Sequence, residues 1–256
     1  MATKPLLDGT RTSPDWAGSR TKVCVLPVGT FEQHSRHLPL ASDNIHAQYF
    51  GEYVARELGA ALLPVLPYAT SLEQTGFAGT ISLRPETLMQ IIRDIAAETE
   101  ALGFRTMILL NNHGGNFALG PVVRDINRRD GPLKIILAGF WEFADVSVCE
   151  SARSGKIDLH SGEFETSILM AIAPETVQPG AVDMKQRHNW KQTDLNTFGV
   201  GYFAPDGAPG NPSLASREKG EKLVASIKRN IIPFLRERLG WLEQDRSYSG
   251  KGKKKR

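Results

Sequence analysis

Cysteine is scarce: 256 residues hold two, Cys24 and Cys149, far apart and outside any CxxC pattern. That excludes a disulfide scaffold and fits a reducing compartment. Long apolar runs are missing too. No stretch approaches the roughly 18 residues needed to span a bilayer, and the opening residues lack the basic-then-apolar profile of a signal peptide. A cytoplasmic protein with no membrane partner is expected. Charge of one sign is also short. The net charge is +3, yet the terminal KGKKKR alone carries five cations, so the rest of the chain is slightly negative. A nucleic-acid partner needs a basic face on the folded body, and none is legible. The tail reads as a solvated end.

No internal repeat and no linker divides the chain. Residues 1–20, punctuated by Pro and Gly, read as an irregular lead-in, residues 21–245 as one domain, and 246–256 as a basic flexible tail. Hydrophobic residues at 41% and charged residues at 23% suit an ordinary globular core.

What is present is an alternation of short apolar runs with helical patterns. Val23–Val28, Ala61–Leu66, Arg105–Leu110 and Lys134–Ala138 read as strands. Helices are expected over 44–58, with Gly59 as the stop, and over 85–102, with Pro85 in the first turn and Gly103 after the end. Further helices are expected at 122–129, 162–173 and 214–239, the last ending at Gly240. The fold class implied is α/β: a single domain with a mostly parallel sheet flanked by helices, a three-layer α/β/α arrangement. In such folds ligands bind beyond the carboxyl ends of the strands.

The candidate residues cluster at those ends. The first strand is followed by Glu32, His34, His37 and Asp43, and Glu32 and His34 share one side of an extended segment. The Arg105–Leu110 strand is followed by Asn111-Asn112-His113-Gly114-Gly115-Asn116. A third cluster runs from Asp158 through His160, Glu163 and Glu165 to Ser167. Imidazoles with carboxylates form a ligand set for Zn²⁺, Mn²⁺ or Fe²⁺. Taken singly, each residue has a plainer reading. Asp43 suits a helix N-cap, Glu163 and Glu165 suit first-turn helix carboxylates, and His113 suits a turn histidine satisfied by backbone. Five such coincidences at strand ends argue for a site instead.

These residues fall in motifs that resemble the creatininase (creatinine amidohydrolase) family, from about Val23 to Leu239. LPVGTFEQHSRHLPLASD (26–43) resembles the family's first block, LPxGSxEQHGPHLPLxTD. GTISL (79–83), NNHGGN (111–116) and HSGEFETS (160–167) follow in order, and GNPSLA (210–215) with Glu218-Lys219-Gly220 resembles the last block. The resemblance implies two divalent metal ions, Zn²⁺ or Mn²⁺ with Fe²⁺ as a further candidate. Glu32 and His113 would hold one, His34 the other, and Asp43 would bridge them. In creatininase proper a carboxylate two residues after the motif histidine completes the set, and here that position is Gly115. The resemblance transfers this task to Glu165, with Glu163 as the alternative. It implies a water activated by the metals, attack on a C–N amide bond of a small molecule (a cyclic amide or a formamide), and His160 and Glu165 as the catalytic pair. A homo-oligomer, up to a hexamer, is implied as well.

Departures from the motifs point to a different substrate. The glycine-proline pair between the motif histidines is Ser35-Arg36, and Arg36 is a candidate for a substrate carboxylate or phosphate. The segment Tyr68–Gln74 keeps Ser71, a candidate substrate contact together with Gly114, but has Gln74 where the family carries histidine. The stretch 185–208, with His188 and Trp190, is a candidate substrate-lining loop. The chain thus resembles the generic branch, which includes a pyrimidine deformylase and a peptidase that trims a redox-cofactor precursor. The alternatives are that peptidase activity and a non-catalytic metal-binding protein of the same fold.

Overall fold

Four parallel strands set the frame of the protein, seen here in a computed structural model that describes residues 5–185 and 190–252, with side chains through residue 245. They are β1 (Val23–Val28), β2 (Ala61–Leu62), β3 (Thr106–Asn111) and β4 (Lys134–Gly139), in the order β2-β1-β3-β4. β1 and β3 pair along their full length, from Val23 opposite Thr106 to Val28 opposite Asn111, and β3 pairs β4 likewise. The second strand is shorter than the run 61–66 predicts. Pro64 and Pro67 interrupt its pairing potential, and beyond Leu62 the chain regains the sheet only at the single bridge between Leu66 and Val28.

Strand side chains alternate between two apolar layers. Val25, Ile108, Leu110, Ile136 and Ala138 face α2 (Ser42–Leu58), α6 (Glu163–Ile172) and α8 (Arg217–Gly252), where Phe50, Val54, Ile168, Leu223, Ile227 and Ile231 meet them. Cys24, Leu26, Val28, Met107, Leu109 and Ile135 face α3 (Pro85–Ala101) and α4 (Leu119–Arg128), against Leu88, Ile92 and Val122. The three-layer α/β/α architecture is thereby present, and both cysteines are buried thiols. Burying each such Leu, Ile, Val or Phe contributes about 1.5–3 kcal/mol.

Short helices complete the chain: α1 (Ser13–Ala17) in the lead-in, α5 (Glu150–Ser154) and α7 (Val200–Phe203). The lead-in is also tied to the sheet by a bridge from Leu7 to Ala61. Gly240 does not end the last helix, which runs on to Gly252. The continuation is held by Leu242, which packs on the α2/α6/α8 layer, and by Trp241, whose ring lies 4.7 Å from the Arg238 guanidinium. Residues 246–252, expected in the flexible tail, therefore lie within a helix, and 253–256 fall outside the described residues.

The close crossing of α6 and α8 explains part of the C-terminal motif. A Cβ on Gly220 would lie 1.8 Å from the Ser167 carbonyl oxygen, so only glycine lets the two backbones approach. A Cβ on Gly210 would lie 2.5 Å from the Cα of Gly162, and Asn211 donates its side-chain amide to the Ile157 carbonyl at 3.0 Å. This block scaffolds the start of α6, the helix that carries two of the candidate carboxylates.

Candidate metal centre

All three clusters meet above the carboxyl ends of β1 and β3. The chain leaves β1 at Gly29, where a Cβ would lie 2.3 Å from Asn44 Oδ1 and 2.9 Å from the Asp43 carbonyl carbon. That close approach brings the first turn of α2 over the strand end. Asp43 is not an N-cap: Ala41 occupies the cap position, and the Asp43 carboxylate turns inward. Its Oδ2 accepts from Thr30 Oγ1 at 2.9 Å and lies 3.2 Å from His113 Nδ1, while Oδ1 lies 3.5 Å from His34 Nε2. Asp43 thus stands between the two histidines.

Glu32 is fully buried, 3.3 Å from His113 Nε2 through Oε2 and 3.5 Å from His160 Nδ1 through Oε1. His34 donates Nδ1–H to the Glu32 carbonyl at 3.1 Å, which fixes the tautomer and points Nε2 at Asp43. His160 is oriented in the same way. Its Nε2 lies 2.8 Å from the Gln33 carbonyl, which can only accept, so Nδ1 keeps its lone pair and faces Glu32 and Glu165. The residues that follow these two histidines, Ser35 and Ser161, take left-handed backbone angles of φ 59° and 52°. Each costs on the order of 1 kcal/mol, offset here by the amide of Ser35 bonding Gln33 Oε1 at 2.8 Å and that of Ser161 bonding Glu165 Oε2 at 2.6 Å.

The three carboxylates of the 158–165 segment have separate fates. Asp158 accepts from the amides of Glu163 (2.7 Å) and Phe164 (2.9 Å) and satisfies the first turn of α6. Glu163, the alternative ligand in sequence, faces away from the histidines. It accepts from the amides of Glu150 and Ser151, from the Ser151 hydroxyl, and from Lys219 Nζ. Although burial works against its charge, Lys219 and Ser151 hold its carboxyl down at about 2. Glu165 instead groups with His34 and Asp43, their ligand atoms within 4.8 Å of one another, and Glu32, Asp43 and His113 form a second such group.

Both Glu32 oxygens, His34 Nε2 and His113 Nε2 are buried and make no hydrogen bond among the described residues. An orphaned buried carboxylate facing orphaned imidazole nitrogens is costly, and a divalent cation in each group would satisfy these atoms. The donor set of nitrogen and oxygen suits Zn²⁺ or Mn²⁺. Without a cation, burial pushes the Glu32 carboxyl up to about 8 and that of Glu165 up to about 7. Burial also lowers His34, but Asp43 beside it outweighs this and raises the ring to about 9.

A cavity of about 560 Å³ opens onto the cluster, lined by His113, Gly114, Gly115, His160 and Glu165 at its floor and by Leu72, Phe117 and Phe198 at its rim. Gly114 lines it as expected. Arg36 does not: its guanidinium is exposed and pairs with Asp206 at 3.1 Å. Ser71 is buried with an unpartnered hydroxyl, its amide bonded to Ser82 Oγ at 2.8 Å. Gln74 accepts from Gln33 Nε2 at 2.6 Å, an amide pair that holds the Glu32–His34 segment. His37, also buried, leaves the cluster and meets Thr166 Oγ1 at 2.9 Å. Of the 185–208 stretch, Gln192, Thr193 and the residues from Leu195 to Val200 line the cavity, Trp190 stacks on Phe203, and His188 lies outside the described residues.

One residue of the site lies outside the candidates read from sequence. Glu73, in a 3-10 turn at Leu72–Gln74, places Oε1 3.0 Å from His113 Nε2. It lies in the Tyr68–Gln74 segment that resembles the family, directly before Gln74.

Comparison with known proteins accords with this geometry. The sequence model of the creatininase family, creatinine amidohydrolase, matches residues 10–235. The mycofactocin precursor peptide peptidase of Mycobacterium ulcerans is 30% identical over 236 residues, covering 88% of each chain. The creatinine amidohydrolase of Pseudomonas putida is 28% identical, covering 84% of this chain and 89% of its own. A solved structure described as the manganese form of creatininase superposes with a TM-score of 0.77 at 25% identity, covering 91% of this chain and 99% of that one. A creatininase mutant described as Zn–Zn type gives the same score and identity over 92% and 99%. The chain belongs to the creatininase family of amidohydrolases.

Proposed function

We propose that this chain is a metal-dependent hydrolase that cleaves a C–N amide bond, in a cyclic amide or a formamide, with Glu32, Asp43 and His113 holding one divalent cation and His34, Asp43 and Glu165 the other. The carrying observation is the set of buried, unpartnered ligand atoms of Glu32, His34 and His113 at the floor of an open cavity. Bound Zn²⁺ or Mn²⁺ supplies Lewis acidity and a water acidified towards neutral pH. The manganese and Zn–Zn creatininase forms support that choice of ions.

The protein's own groups supply binding and proton movement. His160 presents an unprotonated Nδ1 to the cluster, because burial and the neighbouring His34 keep the ring neutral. It takes a proton at Nδ1 from the attacking water and returns it to the departing nitrogen. The Gln33 carbonyl stabilises the cationic ring in between through Nε2–H. Glu165 holds the turn at Ser161 through its amide and so keeps His160 over the floor. Gly114, with open space where a Cβ would stand, leaves room beside His113 for the substrate amide. The catalytic unit is residues 21–245, in a homo-oligomer of up to six chains.

A short peptide is the second candidate substrate, favoured by the mycofactocin-type relative and by an apolar rim at Leu72, Phe117 and Phe198 against which peptide side chains can pack. The test is a panel of cyclic amides, formamides and short peptides offered to zinc- and manganese-loaded protein, with metal content measured alongside. Glu32→Ala, His34→Ala and His113→Ala are each expected to lose bound metal and turnover together. Full activity in a metal-free variant refutes the mechanism.

A further inference from the structure

A second cavity, of about 1130 Å³, lies between the lead-in and the C-terminal end of α2 and has no part in the proposed chemistry. Helix α2 carries Asp43 in its first turn and Arg56 in its last, roughly 20 Å apart along the axis, so this cavity is remote from the metal centre. Its floor is apolar. Leu6, Ala55 and Ala60 are buried there, and Leu7 lies beside them where its bridge to Ala61 ties the lead-in to the sheet. Three arginines reach the wall from three segments: Arg11 from the lead-in, Arg20 from just before β1, and Arg56 from α2.

None of these guanidinium groups forms a salt bridge among the described residues. Arg11 donates Nε–H to the Leu6 carbonyl at 3.1 Å, which leaves its two terminal nitrogens free, and the side chains of Arg20 and Arg56 make no hydrogen bond among the described residues. The aspartates nearby are engaged by threonines instead. Asp8 Oδ1 accepts from the amide and hydroxyl of Thr10 at 2.9 and 2.6 Å, and Asp15 Oδ2 accepts from those of Thr12 at 2.9 and 2.8 Å. With Asp15 and Glu57 as the acids of the wall, its three cations remain in excess, whereas the cavity at the metal centre has no Lys or Arg on its wall among the described residues. Unpaired guanidinium groups gathered round an apolar floor are satisfied by an anion, and their planar forks match the oxygens of carboxylate and phosphate. We infer that this cavity binds a small organic oxyanion, a carboxylate or a phosphate ester, whose apolar body rests on the floor at Leu6, Ala55 and Ala60. The inference does not depend on the proposed hydrolysis.

The test is isothermal titration calorimetry of zinc-loaded protein with 4-phenylbutyrate, with 4-phenylbutyl phosphate and with the neutral 4-phenylbutanol. At least one oxyanion is expected to bind about tenfold or more tightly than the alcohol, the range of one charge-assisted hydrogen bond, and the tighter of the two identifies the class of ligand. Replacing Arg20→Gln and Arg56→Gln together is expected to remove that preference, and Arg11→Gln alone to reduce it. All three arginines are exposed, so metal content and the urea midpoint are expected to stay at wild-type values. The titration is repeated after chelation, because oxyanions also bind zinc. Binding that survives chelation and is lost in the arginine variants establishes the site. Oxyanion binding that vanishes with the zinc overturns the inference, since it places the probe on the metal. Equal affinity for the alcohol overturns it too, as does unchanged oxyanion affinity in the arginine variants.

Discussion

Glu163 and Glu165 are two residues apart on one helix, and the structure gives them opposite tasks that one experiment separates. Glu163 accepts three hydrogen bonds from Glu150 and Ser151 and pairs with Lys219, so its folded carboxyl sits at about 2 against an ordinary 4.5. A depressed carboxyl contributes stability that is fully present above pH 4.5 and is lost as the pH falls towards 2. At 1.36 kcal/mol per unit, that contribution is about 3 kcal/mol. Glu163→Gln keeps the shape but turns an amide NH₂ or a weaker carbonyl towards donors and leaves Lys219 with the Leu214 carbonyl but no counter-charge, so a destabilisation of about 2–4 kcal/mol is expected near neutral pH. The difference from wild type should shrink as the pH falls below 4.5, because the wild-type carboxyl then loses its charge as well. Glu165→Gln should do the reverse. It removes a buried carboxylate whose burial already pushes it up to about 7, so the metal-free protein keeps its stability while bound metal falls. Urea denaturation of chelator-treated protein between pH 3 and 8, with metal analysis by plasma mass spectrometry on the loaded protein, reads both. A Glu163→Gln protein of unchanged stability that loses metal would show that the assignment of the two carboxylates is inverted.

Two further substitutions test the backbone arguments. Gly115→Ala brings a methyl onto the Glu73 head and the His113 ring, so His113 must move and zinc affinity, measured by competition with a chromophoric chelator, should drop at least tenfold; unchanged affinity refutes the steric argument. Gly240→Ala should stabilise the protein by about 0.5–1 kcal/mol, because Gly240 lies inside a continuous helix with open space at its Cβ; destabilisation in a urea titration would place the helix end at Gly240 after all.

The strand ends were legible because burial on both sheet faces leaves near-continuous apolar runs, and the residues just beyond Val28 and Leu110 had to lie where ligands bind. Asp43 was less so. Its position before a helical pattern fits a cap equally well, and only the helix starting at Ser42, two residues before the expected 44, turns its side chain inward. Gly240 misled because a glycine after an apolar period usually stops a helix; Leu242 and Trp241 add packing beyond it that periodicity does not register. The strand after Gly59 was overextended because hydropathy cannot see a proline's missing donor.

The carboxylates show where local reading ends. Asp158, Glu163 and Glu165 sit within eight residues and look alike in sequence, yet one satisfies a helix start, one anchors α5 and α8, and one faces the histidines. What divides them is partners remote in sequence, Lys219 above all, 56 positions away from Glu163. Glu73 is the extreme case. Its approach to His113 depends on the absence of a side chain at Gly115, in another segment, and on a 3-10 turn that no periodicity announces. Chemistry shared by the whole family stays legible in contiguous motifs because its ligands leave the strand ends in fixed order. The contact of Glu73 with His113 is set by long-range packing, and its own segment does not show which partner it meets.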